Sequence, residues 1–147
     1  IKVNLGPLAR KLVKARDGFN RLALRKFGKA IDDEISIGKS PVKGRARFEG
    51  YKPSYKASIK KGYQGGGKKI RPVNLFVTGD LRNSQEITVK DKAIQVRYKD
   101  KKAKYHNNGT PNMARRPLVP NKRGEEFSRT LTKELLRYAK ISLTGSD

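Results

Sequence analysis

The segment that comes nearest to a catalytic motif is Gly62-Tyr63-Gln64-Gly65-Gly66-Gly67-Lys68-Lys69, which almost spells a phosphate-cradling loop. That chemistry needs backbone amides curled around phosphates, a Lys on the β and γ oxygens, and a Ser or Thr hydroxyl on Mg²⁺. Here Lys69 stands where the hydroxyl should be, and no apolar strand precedes Gly62. Arg71-Pro72 also forbids a long helix after the loop. The stretch reads as a flexible basic loop. Asp32-Asp33-Glu34 offers carboxylates for a metal-dependent nuclease, but consecutive residues of a helix point about 100° apart and do not converge on one ion. The same three residues read as a solvated helix face. His106, the single histidine, has Asp100 and Ser84 as conceivable partners, yet neither stands at a spacing that would orient an imidazole for acid–base work. It reads as a polar turn residue between Tyr105 and Asn107-Asn108. Asn108-Gly109-Thr110 matches a glycosylation acceptor and carries no meaning without a secretory context. No enzyme, metal or cofactor is expected.

Composition directs attention elsewhere. The chain has 147 residues, with 36 Lys+Arg against 13 Asp+Glu, a formal net charge of +23. Its length fits one domain. With no Cys, disulfides and Cys-based zinc fingers are excluded. No run reaches the roughly 18 apolar residues of a membrane span, and no signal-peptide pattern is visible. The chain opens on Ile1 and its sole Met is Met113, so an initiator residue is expected ahead of the numbering. A soluble protein, intracellular or virion-borne, is expected.

A charge this large repels itself unless an anionic partner neutralises it. Nucleic acid is the usual partner, because phosphate neutralisation releases condensed counter-ions, and an acidic protein surface serves the same electrostatic need. Residues 39–71 hold eleven basic residues against Glu49, and residues 97–123 hold nine against Asp100. The recognised RNA- and DNA-binding signatures are missing. Tyr51, Tyr55 and Tyr63, interleaved with lysines, suit either base stacking or anchoring on a neighbouring protein.

The elements that position these residues follow from periodicity. Leu5, Leu8, Leu12, Ala15, Phe19, Leu22, Ala23, Phe27, Ala30, Ile31 and Ile35 recur at helical steps, with Asn4 as N-cap, Pro7 in the first turn, a kink or split near Gly18 and a stop at Gly38. Residues 38–72 are rich in Pro and Gly and poor in apolar side chains. They predict an extended basic arm with a short helix around Ser54–Lys60, unable to offset its own ordering entropy and so laid against a companion. Val73–Val77 is a short apolar run, and Thr78-Gly79-Asp80 is a turn with Asp80 capping one helical turn through Ser84. Ile87, Val89, Ile94, Val96 and Tyr98 alternate as a hairpin about Lys90-Asp91-Lys92. Tyr105 to Pro111 reads as turn, and Arg115–Pro120 as a short edge strand limited by Pro117 and Pro120. Glu125 and Glu126 predict the start of an amphipathic C-terminal helix through Phe127, Leu131, Leu135 (or Leu136), Tyr138 and Leu143.

The expectation is a single α+β domain over 1–147. Its parts are an N-terminal helical region (1–37), the arm (38–72), a β-rich core (73–120) and a C-terminal helix (121–147). A small antiparallel sheet is packed by the two long helices.

Several phrases occur in a telling order. Gly38-Lys39-Ser40-Pro41 precedes the Tyr51 and Tyr55 segment, and Pro72-Val73-Asn74-Leu75 precedes Thr78-Gly79-Asp80-Leu81-Arg82-Asn83-Ser84. After the hairpin come Tyr105-His106-Asn107 with Gly109, then Arg116-Pro117-Leu118-Val119-Pro120. Over residues 38–140 this order resembles the neck and tail-completion proteins of tailed bacteriophages, the head–tail joining or virion morphogenesis group. The resemblance implies a structural virion subunit, assembled in the host cytoplasm, that forms a homo-oligomeric ring, commonly of six. The ring would sit between the portal or its adaptor and the tail tube or tail terminator, and let DNA pass through its lumen. On that reading Tyr51, Tyr55, Val73, Leu75 and Phe76 pack subunits together, and Gly79, Gly109 and Pro117 shape the backbone. Lys60, Lys61, Lys68, Lys69 and Arg71 meet an acidic partner or DNA. The alternative is a nucleic-acid-binding module of ribosomal-protein type.

Overall fold

The computed structural model describes residues 2–3, 21–63, 67–76, 78–90 and 93–144. In chain order the elements are β1 (Lys2–Val3), α1 (Arg21–Ser36), α2 (Pro53–Lys60), α3 (Asp80–Asn83), β2 (Gln85–Lys90), β3 (Ala93–Tyr98), α4 (Lys101–Asn108) and α5 (Arg129–Thr144). The class is α+β, as the pattern of elements predicted. The sheet is antiparallel in the order β1-β3-β2. The expected N-cap Asn4, Pro7, the stripe from Leu5 to Phe19 and Gly18 lie outside the described residues, as do Gly65, Gly66 and Asp91-Lys92 of the two predicted loops.

In α1, Ala23, Phe27, Ile31 and Ile35 recur every four residues and are all buried. This stripe packs on α5, where Leu131 and Leu135 face it, and Phe27 meets Phe127 edge-on at 5.6 Å between ring centres. The other flank of α1 lies on β2. Gly28 permits that approach, because a Cβ there would stand 2.4 Å from Gln85 Oε1. The helix ends at Gly38, φ 77°, where the Gly38 N–H donates to the Ile35 carbonyl and the Lys39 N–H to that of Glu34. These two bonds form a Schellman stop.

Strands β2 and β3 pair in the register Ile87↔Val96 and Val89↔Ile94, as their alternation predicted. Ile94 and Val96 are fully buried, whereas Glu86 and Arg97 pair on the opposite face and join in an ion pair at 2.6 Å. Gly79, φ 93°, starts α3 and Asp80 is its first residue rather than its cap. One core cluster draws on α1, the 38–72 segment, the sheet, α4 and α5.

The 38–72 segment is not an extended arm. It is folded onto its own chain through bonds that its sparse apolar content did not announce. Ser40 Oγ donates to the Pro117 carbonyl at 2.9 Å, the Lys43 N–H to the Glu126 carbonyl, and the Ser128 N–H to the Pro41 carbonyl. Pro41 and Val42 are fully buried, and Phe48 and Tyr51 join the core. The short helix predicted at 54–60 is α2, opened by Pro53 at its first turn.

Two further expectations give way for identifiable reasons. Residues 101–108 form a helix instead of a polar turn, because the Asp100 carboxylate caps it by accepting the Lys102 N–H at 2.8 Å. Residues 115–120 form no strand. Pro117 and Pro120 have no N–H to offer a ladder, and the two N–H groups between them, Leu118 and Val119, both donate to Asn107 Oδ1. Glu125 does not open the last helix. It accepts the Asn121 and Lys122 N–H groups and pairs with Arg115, while Ser128 Oγ accepts the Leu131 N–H as the cap of α5.

Candidate functional site: a cationic cleft

A cleft of about 960 Å³ opens between the 49–55 segment, the loop carrying Lys68, α3, α4 and residues 110–116. Its lining holds five Lys or Arg residues (Lys52, Lys68, Arg82, Lys102, Arg116) and His106, against two carboxylates, Glu49 and Asp80. The floor is aromatic, with Tyr51 and Tyr55 meeting edge-on at 5.1 Å.

Each charge is positioned by a traceable local cause. Arg116 is only 3% exposed although it is charged. Its Nε donates to the Glu49 carbonyl and its Nη2 to the Gly50 carbonyl, both at 2.8 Å, and its guanidinium lies 4.9 Å from the centre of the Tyr51 ring. Burial lowers its pKa from the ordinary arginine value, with Tyr51 and Glu49 opposing. Lys68 stands 5.1 Å over the Tyr51 ring and 5.7 Å from that of Tyr55. Burial, then the charges of Arg116 and Lys102, bring Lys68 down to about 8. Arg82 lies over the Phe76 ring at 5.4 Å, and its buried Nε has no hydrogen-bond partner among the described residues. His106 is held neutral. Burial, then Lys68 and Arg116, lower it to about 4, and its Nδ1 is buried without a partner.

The loop that presents Lys68 is tied down by Asn74. Asn74 Oδ1 accepts the Lys69 and Phe76 N–H groups, and Nδ2 donates to the Gly67 carbonyl at 2.9 Å. Gly67 has no side chain because the Phe76 ring occupies the space, 2.2 Å from where a Cβ would sit. Leu75, buried at φ 52°, turns the chain back beneath Tyr51.

The residues singled out in the sequence divide among three places. Tyr51, Tyr55, Leu75, Phe76, Gly79 and Lys68 line the cleft. Val73 and Leu75 are 6% and 3% exposed, so their side chains serve this chain's own core, not a face open to a neighbour. Pro117 is buried, with its carbonyl accepting the Ser40 hydroxyl, and Gly109 at φ 72° turns the chain out of α4. Lys60, Lys61, Lys69 and Arg71 are exposed and outside the cleft lining. Lys102, His106, Arg82 and Arg116 belong to the cleft and were passed over as site residues. For Arg116 the sequence offered only a partial signal: Arg115 and Arg116 together precede the apolar run Pro117-Leu118-Val119-Pro120, and nothing local tells which of the two is buried.

A smaller titratable cluster lies between α1 and the sheet. Gln85 Nε2 donates to the Tyr98 hydroxyl at 2.9 Å and to Asp32 Oδ1 at 3.4 Å. Burial raises Asp32 to about 6, which Arg82 partly opposes. Asp33 turns away to Lys29, and Glu34 to Ser128, so the three carboxylates do not converge. Among the described residues no group of three or more His, Asp or Glu is placed to hold a metal ion, and no helix is long and apolar enough to cross a membrane.

No family model, curated protein or solved structure matches the chain.

Proposed function

We propose that the chain is a structural subunit of a tailed-phage neck, a tail-completion or head–tail connector protein that acts by assembly and not by catalysis. One observation carries the reading: five of the six phrases on which the resemblance rests, far apart in the sequence, contribute to one cleft. Tyr51 with Tyr55, Leu75, Thr78–Arg82, His106 and Arg116 line its walls, and Gly38–Pro41 does not. Recurrent phrases that build one constructional unit are what a shared subunit architecture requires. A ring of identical subunits has heterologous contacts, in which one face meets a different face of the next copy. The exposed Ile37, Tyr63 and Tyr105, together with the lysines of α2, supply such faces outside the core. The ring would join the portal or adaptor to the tail, with DNA passing through its lumen.

Light scattering and negative-stain imaging of the purified protein, alone and with isolated tails, test this. Closed rings or tail-bound copies are expected. A protein that stays monomeric at all concentrations and binds no tail contradicts the reading.

The cleft's charge favours a second reading, a nucleic-acid-binding protein. On that reading log affinity for duplex DNA falls with log salt by about 0.9 per neutralised phosphate. A shallow slope removes it.

A further inference from the structure

The cleft between Tyr51 and His106 has a property that subunit assembly does not use: it concentrates like charge and leaves it uncompensated. Five Lys or Arg residues face two carboxylates there, an excess of three before His106 is counted. The carboxylates are partly committed. Asp80 accepts the Thr78 hydroxyl, and Asp100, outside the lining, sits 3.8 Å from Lys102 and offsets part of that one charge. Among the described residues Lys68 has no carboxylate partner. It is held over two tyrosine rings and repelled by both Arg116 and Lys102.

We propose that this cleft is a binding site for a phosphate group, held by the ammonium groups of Lys68 and Lys102, with Arg116 and the His106 imidazole supporting it. Phosphate is favoured over carboxylate by the donors on offer. A carboxylate is best recognised by the open fork of an arginine. The Arg116 fork is already spent on the Glu49 and Gly50 carbonyls. What remains, besides Arg82 over the Phe76 ring, are lysines, point charges arranged around a spot, which suit an anion with several equivalent oxygens. A phosphate monoester carries about −1.5 to −2 charge at neutral pH, enough to cancel most of the local excess that one carboxylate would leave standing. Burial first, and then the neighbouring cations, hold Lys68 and His106 below their ordinary values, and an entering anion relieves the part due to those cations. The inference does not depend on the connector reading, since a free monomer presents the same groups. The phosphate has two sources: a free small dianion, which the charge count favours, or the backbone of a nucleic acid, whose phosphodiesters carry one charge each and share the same ammonium contacts.

His106 is the only histidine, so its ring protons report on the site without assignment ambiguity. Lys68, Arg116, Asp100 and Lys102 are the charged groups that act on it, and Tyr51 and Tyr55 complete the wall. The experiment is an NMR titration of the whole chain with inorganic phosphate, with a four-residue oligothymidylate, and with hexaglutamate. Saturable shifts of the His106 ring protons are expected with phosphate, accompanied by a rise of its pKa from about 4. Affinity is expected to fall at least tenfold in Lys68→Gln and in Lys102→Gln, and to be unchanged in Lys60→Gln. Tighter binding of the oligonucleotide identifies a nucleic-acid backbone as the source, and equal or tighter binding of inorganic phosphate identifies a free anion. Both lysines are at least partly exposed, so both variants fold, and far-UV circular dichroism with an unchanged urea midpoint verifies it. A linear, non-saturating response, equal affinity in Lys68→Gln, or saturation by hexaglutamate without phosphate would overturn the proposal.

Discussion

Arg116 Nε lies 2.8 Å from the carbonyl oxygen of Glu49, a residue 67 positions earlier in the chain. With the second bond to Gly50 this guanidinium closes the 38–72 segment onto the rest of the domain. The carbonyls it holds belong to a stretch with no sheet or helix to satisfy them. Without it two part-buried hydrogen bonds are lost, at about 1 kcal/mol each, and the buried side chain's packing goes with them.

Arg116→Ala is therefore expected to destabilise the protein by about 2–4 kcal/mol in urea unfolding. Arg116→Lys, which restores charge but not the two-pronged donor geometry, should recover less than half of that loss. A loss below about 0.5 kcal/mol for Arg116→Ala would mean that the segment is held by its apolar contacts alone.

Asn107 performs the same task for the opposite kind of group. Its Oδ1 accepts the Leu118 N–H at 2.7 Å and the Val119 N–H at 3.3 Å, both buried. Asn107→Ala leaves two donors unpaired and should cost about 2–3 kcal/mol. Asn107→Asp keeps an accepting oxygen at the same place and should cost less. Thermal unfolding of the pair at one pH checks the ordering, and equal losses would contradict it.

These two side chains also mark where the sequence was legible and where it was not. The helical stripe Ala23, Phe27, Ile31, Ile35, the alternation across β2 and β3, the stop at Gly38 and the turn at Gly79 are local patterns. Each was readable because burial repeats at the period of the element. The closure of residues 38–50 was not readable, because it rests on single hydrogen bonds to residues 117, 126 and 128, which leave no periodic trace. Helix α4 was missed for a related reason. Its stability comes from the Asp100 cap and from Arg115 Nε and the Arg116 N–H on the Asn107 and His106 carbonyls, not from an apolar stripe. Of the cleft, the aromatic floor and Lys68 were visible as residue types. Their convergence with Lys102, His106 and Arg116 is a product of the tertiary fold.

Two buried titrations of opposite sign should shape the pH dependence of stability. His106 is lowered to about 4 in the folded protein, so the unfolded chain binds more protons between that value and its ordinary one near 6.5. Stability contributed by its neutrality is present above about pH 6.5 and is lost as the pH falls toward 4, amounting to about 3 kcal/mol. Asp32 is raised to about 6, so the folded state binds more protons between about 4 and 6, and stability falls as the pH rises through that window. The wild-type curve from pH 4 to 6 is flattened by the opposition. His106→Gln should expose the Asp32 slope, stability then decreasing from pH 4 to 6. Asp32→Asn should expose the His106 slope, stability then increasing over the same range. Urea midpoints measured at half-unit pH steps decide it, and parallel curves for the two variants would refute both assignments.

Gly109 and Gly44 separate backbone strain from crowding. Both adopt positive φ, 72° and 77°, where a side chain costs about 1 kcal/mol or slightly more. At Gly44 a Cβ would meet nothing within 4 Å, so Gly44→Ala should show that conformational cost and no more. At Gly109 the same Cβ would stand 3.1 Å from the Arg115 nitrogen and 3.1 Å from the Met113 carbonyl oxygen. Both obstacles are backbone, and the Met113 carbonyl is held by the Thr110 N–H, so neither swings aside as a side-chain tip would. Gly109→Ala must push the 113–115 strand of chain outward, and that chain carries Arg115 onto the Asn107 carbonyl and leads into Arg116. The expected loss is therefore about 2 kcal/mol or more, roughly double that of Gly44→Ala. It should be accompanied by a shift of the His106 ring resonances, which Gly44→Ala leaves in place. Equal losses in the two variants would show that the turn after α4 yields freely, and that the cleft wall is not braced from behind by Gly109.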